Sequence, residues 1–167
     1  MEFVKSELPK KPTLIIDTRE KTPWDFEGDE EFEAIEHVKL DGGDYSIKGM
    51  EHLVVIERKA NADELFNNFT QNKERIYAEF ERLKDHRMRV IVIEQSCEDV
   101  FNPQNYYVNK KGLNKRDYKM PVAVVASNLT ELMVKYNAHV IFGGNKAKAM
   151  ARGILLLTYK LHRQGKL

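Results

Sequence analysis

Leu14-Ile15-Ile16, after Thr13, and Val90-Ile91-Val92-Ile93, between Arg89 and Glu94, are apolar at every position, and they constrain the fold more than any other part of the chain. Runs this short read as strands buried on both faces, so helices must cover the sheet that contains them. Asp44 to Lys48 and Leu53 to Lys59 flank a turn at Gly49 and read as a β-hairpin. Ala138 to Phe142 reads as a last strand before Gly143-Gly144. Between the strands, apolar residues recur at helical spacing: Leu65, Phe66 and Phe69, then Ile76, Tyr77, Phe80 and Leu83, then Val122 to Tyr136, and finally Met150, Ile154, Leu157 and Leu161. Asn61, three residues before Glu64, resembles a capping box, and Pro121 suits the first position of a helix. Polar Thr70 to Lys73 allows the first helical stripe to be two consecutive helices. The order predicts an α/β fold, a mixed central sheet flanked by helices, over residues 13–163, with tails at 1–12 and 164–167.

Composition excludes several function classes. No stretch approaches the roughly 18 apolar residues of a membrane span, and residues 1–12 lack the apolar segment of a secretory signal. The expectation is an intracellular protein, cytoplasmic or, in a eukaryote, nuclear, with no membrane partner. Cys97 is the single cysteine, which rules out an internal disulfide and a Cys-rich zinc site. The five histidines show no zinc spacing. With 27 basic and 26 acidic residues, bulk charge attracts no polyanion, so nucleic-acid binding would need a local patch. Charge is segregated along the chain: Glu20 to Glu36 holds eight acids against the single base Lys21. Two stretches are candidate anion-facing surfaces. Lys110, Lys111, Lys115, Arg116 and Lys119 interleave with Tyr106, Tyr107 and Tyr118, and residues 146–167 carry six Lys or Arg and no acid. Lysines beside tyrosines suit a strand-tracking surface that neutralises phosphates and stacks on unpaired bases; they equally suit a solvated loop.

Alternation along Leu53–Lys59 puts Val55, Glu57 and Lys59 on one face of the strand and Val54, Ile56 and Arg58 on the other. An acid and an amine two residues apart therefore point into one site. Asp44 follows Gly42-Gly43 on the other hairpin arm, within reach of Glu57. Two converging carboxylates suit Mg²⁺ or Mn²⁺, hard ions that take one or two carboxylates, waters and a substrate phosphate. Lys59 beside them would orient an attacking water or sit on the phosphate oxygens. Taken singly, Asp44 also suits a glycine turn, and Glu57-Arg58-Lys59 a solvated strand end. A loose Asp…Glu-x-Lys spacing occurs by chance in about half of chains this long, whereas Gly43-Asp44, Glu57-Arg58-Lys59 and then Asp63 occur together in on the order of one in 10⁵.

That string resembles the GD-x(n)-ERK-x(3)-D motif of the XPF-type structure-specific endonucleases. Ile16-Asp17-Thr18-Arg19-Glu20 is similar to the family's DxRE segment, Gly43-Asp44-Tyr45 to its GDY, Arg75 to its helix arginine and Ile93-Glu94 to its following strand. The resemblance spans roughly residues 13 to 160. It implies a restriction-endonuclease-like fold, metal-dependent cutting of branched, flapped or forked DNA in repair or recombination, and a homodimer or heterodimer formed through the nuclease domain. By resemblance, Asp44 and Glu57 bind the metal with help from the backbone at Arg58, and Lys59 is catalytic. Asp17, Arg19, Glu20, Arg58 and Asp63 support the site or contact the phosphate, and Arg75 supports it. Family members usually continue into a tandem helix-hairpin-helix domain; none is found in residues 1–167, and the sequence leaves open whether a partner supplies it. A non-catalytic DNA-binding or scaffold subunit is the competing function, and retention of Asp44, Glu57 and Lys59 weighs against it.

Overall fold

The structure, a computed structural model, describes residues 8–102 and 122–167. Among these residues the strands are β1 (Thr13–Ile16), β2 (Ala34–His37), β3 (Tyr45–Ile47), β4 (Val54–Lys59), β5 (Met88–Ile93) and β6 (Ala138–Phe142). They form one six-stranded sheet in the order β2-β1-β3-β4-β5-β6. β1 and β2 are parallel, β3 is antiparallel to both β1 and β4, and β4, β5 and β6 run parallel. The carboxyl ends of β1, β4, β5 and β6 therefore meet the amino end of β3 along one edge of the sheet.

Helices cover both faces, as the two doubly buried strands require. On one face, Leu14, Ile16, Tyr45, Ile47, Val54, Ile56, Val90 and Val92 pack against Ala147, Ala151, Leu155 and Tyr159 of α5 (Ala147–Arg163). On the other, Ile91, Ile93 and Ala138 meet α1 (Ala62–Thr70), α2 (Lys73–Arg82) and α4 (Val122–Tyr136) through Leu65, Phe69, Ile76, Phe80, Leu129 and Leu132. The α1 cap forms as expected: Asn61 Oδ1 accepts from the Glu64 amide at 2.9 Å, and Glu64 Oε2 accepts from the Ala60 amide at 2.9 Å. Asn137, with φ 50°, turns the chain from α4 into β6 in the left-handed conformation that asparagine tolerates. No helix among the described residues is long and apolar enough to cross a membrane.

Two elements were not expected from the sequence. β2 lies inside the acidic stretch and has no buried residue; it is a strand only because β1 pairs with it. Helix α3 (Cys97–Phe101) has five residues, too few for a periodic signal, and is started by Ser96 Oγ accepting from the Asp99 amide at 3.0 Å. The remainder of the acidic stretch docks on α5. Asp29 accepts from Arg152 Nε at 2.5 Å and Nη2 at 2.7 Å, and Lys148 Nζ donates to the Asp25 carbonyl. The basic face read in residues 146–167 is thus partly occupied by the chain's own acids. Residues 8–12, read as tail, run against the domain, with the Tyr159 hydroxyl donating to the Pro9 carbonyl at 2.5 Å. Pro121 and the basic cluster Lys110, Lys111, Lys115, Arg116 and Lys119 lie outside the described residues.

Candidate active site

The strand-end edge is organised around Asp44. Gly43 precedes it with φ +76°, and a Cβ there would lie 2.3 Å from Val55 Cγ2, so only glycine fits this turn. The Asp44 amide donates to the Ile56 carbonyl at 2.7 Å, and its own carbonyl accepts from the Asp17 amide at 2.8 Å. Beyond the β3–β4 ladder, Asp44 Oδ2 replaces a backbone carbonyl and accepts from the Arg58 amide at 2.7 Å. The backbone is thereby tied to β1 and β4, and the carboxylate to β4.

β4 delivers the partners by alternation. Lys59 Nζ donates to Glu57 Oε1 at 2.5 Å and reaches Glu64 Oε1 at 3.3 Å, while Arg58 points to the opposite face. A cleft of about 170 Å³ at this edge is lined by Asp17, Arg19, Glu20, Asp44, Glu57, Arg58, Lys59 and Arg75. The structure therefore brings together every site residue proposed from the sequence that lies among the described residues, except Asp63, which does not line the cleft. A larger depression of about 820 Å³, between residues 10–12 and α5, holds no paired carboxylates.

Electrostatics single out the acid pair. Burial, reinforced by the charge of Glu57, pushes the Asp44 carboxyl up to about 8 against the pull of the Arg58 amide and Lys59. Burial also raises the Glu57 carboxyl, with Glu79 and Glu64 adding to the rise and Lys59 opposing it. For Lys59, burial works against the ammonium, but Glu57 and Glu64 outweigh it and hold the pKa above the ordinary lysine range. These neighbours favour the charged ammonium of Lys59, which suits it to donate hydrogen bonds. Each acid keeps one oxygen anchored and one open: Asp44 Oδ1 and Glu57 Oε2 accept no hydrogen bond among the described residues. No cluster of three His, Cys, Asp or Glu side chains placed to hold a metal occurs among the described residues. The donor set is then two open carboxylate oxygens under mutual repulsion, which suits a hard divalent cation that keeps most of its waters.

The remaining residues hold this arrangement. Asp17 is 1% exposed and accepts from the Arg19 amide (2.7 Å), Arg19 Nε (2.8 Å), Arg19 Nη2 (2.9 Å) and the Leu40 amide (2.7 Å). Burial raises its pKa, but these hydrogen bonds prevail and lower it. Asp17 thus fixes the segment that enters Gly42-Gly43, with both oxygens engaged. Glu20 accepts from the Thr22 amide at 2.7 Å and lies 3.5 Å from Arg58 Nη1. Arg75 has no carboxylate partner among the described residues and makes a single long contact, 3.5 Å, with Asn68 Oδ1. Two cleft acids were missed from sequence. Glu64 was read only as a cap. Glu79 lies on α2, and its Oε1 accepts from the Gly43 amide at 2.7 Å and braces the turn before Asp44.

Comparison with known proteins places these residues in a family. Residues 16–151 match the model of the ERCC4 domain. The structure is similar to that of XPF from Aeropyrum pernix, with a TM-score of 0.58 and 16% identity over 90% of this chain and 61% of that one. It is also similar to XPF from Aeropyrum pernix in a complex with DNA, with a TM-score of 0.59 and 17% identity over 90% of this chain and 66% of that one. The chain thus spans somewhat under two thirds of the solved chains it matches. No curated protein sequence matches it. The family match covers both arms of the hairpin that carries Asp44, Glu57 and Lys59, and the sheet order and helix placement agree with it: the chain belongs to the ERCC4 domain family and is built as an XPF-type nuclease domain.

Proposed function

We propose that this protein is a metal-dependent DNA endonuclease that hydrolyses phosphodiester bonds at branched, flapped or forked structures. The observation that carries the reading is the acid pair: Asp44 and Glu57 each present one open oxygen beside the Lys59 ammonium in a single cleft. Those two oxygens would hold Mg²⁺ or Mn²⁺, which would supply Lewis-acid chemistry to the water nucleophile and the phosphate. Lys59, kept protonated by Glu57 and Glu64, donates to the phosphate oxygens where negative charge builds up. Among the described arginines that line the cleft, Arg75 has no carboxylate partner and is free to meet the incoming backbone, since Arg19 is held by Asp17 and Arg58 by Glu94. The similar Aeropyrum pernix XPF, described in a complex with DNA, supports DNA as the substrate.

The test is cleavage of end-labelled flap, fork, four-way junction and linear duplex DNA at equal salt in Mg²⁺, Mn²⁺ or EDTA. Wild type is expected to cut near the branch only with metal. Asp44→Asn and Lys59→Ala are expected to lose about 10²-fold or more of the rate while still binding DNA. Wild-type rates in either variant would overturn the assignment. Binding without cleavage of any structure by the wild type would support the DNA-binding scaffold instead.

A further inference from the structure

A second polar cluster lies on the other face of the sheet, directly behind the acid pair, and is centred on Glu94. Arg58 Nε donates to Glu94 Oε1 at 2.7 Å and Nη2 to Oε2 at 3.2 Å, a two-pronged grip between the ends of β4 and β5. The Trp24 indole N–H donates to the same Glu94 Oε1. Arg58 lies over the Trp24 ring, 5.4 Å from its centroid, and Nη1 donates to the Thr22 carbonyl at 2.8 Å. Trp24 in turn stacks on Tyr45 at 4.9 Å, and its amide donates to the Tyr45 hydroxyl at 2.8 Å. Tyr45 and Arg58 are the two residues next to the site: one follows Asp44, and the other offers Asp44 its amide.

We propose that Glu94 is a positioning residue for the metal site, gripping Arg58 and Trp24 so that the Arg58 amide stays aimed at Asp44. The inference rests on the reading of Asp44 and Glu57 as metal ligands. Strand ends ordinarily fray, because their last amides lack ladder partners. Here Arg58 is paired on the β5 side, with Val92, but on the β3 side the ladder pairs only Tyr45 with Ile56 and Ser46 with Val55, so the Arg58 amide that faces Asp44 lies beyond it. Its guanidinium, held by a carboxylate, an indole and a carbonyl, fixes the strand end from the opposite face. Arg58 itself therefore acts through its backbone at the site, while its charge is neutralised by Glu94.

The experiment compares wild type with Glu94→Gln, which keeps the shape and removes the charge, and Trp24→Phe, which keeps the stack on Tyr45 and removes the indole donor. Amide hydrogen exchange at Arg58, followed by NMR without metal or DNA, is expected to quicken at least tenfold in Glu94→Gln and less in Trp24→Phe. Val90, whose register partner on β4 is Ile56, should keep wild-type exchange. Mn²⁺ affinity, titrated without DNA, should fall severalfold, and kcat for flap cleavage should fall with KM for DNA within twofold. Unchanged Arg58 exchange overturns the proposal, and so does faster exchange with unchanged Mn²⁺ affinity, which leaves Glu94 a structural brace. Should Glu94→Gln not fold, Trp24→Phe decides by the same two measurements. Failure of the nuclease reading looks different: wild type then shows neither Mn²⁺ binding nor cleavage.

Discussion

Asp44 is asked to stay charged in a place that disfavours charge. Its carboxyl is pushed from 3.8 to about 8 in the folded protein by burial and by Glu57, so folding favours the protonated form. The sign follows from linkage: the folded state binds the proton more tightly, so this group's stabilising contribution is full below about pH 4 and is lost as pH rises through about 8. Asp44→Asn escapes that loss. In EDTA, urea unfolding should show wild type and variant closely matched near pH 4, with the variant gaining steadily on wild type as pH rises toward 8. A gap that shrinks with rising pH would contradict the account. The same residue scale shows what period-two alternation makes legible. It told Lys59 from Arg58 correctly as to face, and the Lys59–Glu57 contact follows from it. What the alternation could not reveal is what stands on the far side, where Glu94 and Trp24, distant in sequence, hold Arg58.

At the scale of elements, the hairpin from Gly42 to Lys59 makes the site, and Gly43 makes the hairpin. Gly43→Ala would place a methyl 2.3 Å from Val55 Cγ2 at φ +76°. The left-handed backbone disfavours a side chain by roughly 1–2 kcal/mol, and overpacking adds about 1–3 kcal/mol. The variant should lose stability by several kcal/mol in urea unfolding, and its Mn²⁺ binding should weaken even under conditions where it stays folded. The buried strands, the hairpin, the α1 cap and the long helices were readable because each carries a local pattern. β2 and α3 were not, since one is a strand by pairing alone and the other a single capped turn or so. Arg89 is a further case: it opens a run that reads as a buried strand, and it is 5% exposed, but its partners are not visible in the sequence: Nη1 donates to the carbonyls of Leu83 and Lys84 at 2.9 and 2.7 Å, closing the chain that leaves α2.

Over the whole molecule, a near-neutral chain separates its charges in sequence and recombines them in space. The acidic stretch meets α5 through Asp29 and Arg152, while Arg75 at the cleft stays unpaired by any carboxylate among the described residues. This divides the cations into those that hold the fold and those that can meet a phosphate. Arg152→Ala should lower stability by about 1 kcal/mol and leave DNA affinity and its salt dependence unchanged. Arg75→Ala should leave stability within about 0.5 kcal/mol yet weaken DNA binding and reduce the slope of log affinity against log salt by about 1. Titrating flap DNA at several salt concentrations checks both. The sequence showed where the charges were concentrated, but which of them face one another depends on the tertiary fold.

The raised carboxyl of Asp44 has a consequence for how such a domain changes over generations. A substitution that removes the acid would abolish the proposed chemistry while relieving, toward pH 8, the cost of a buried charge, so loss of activity need not begin with loss of the fold.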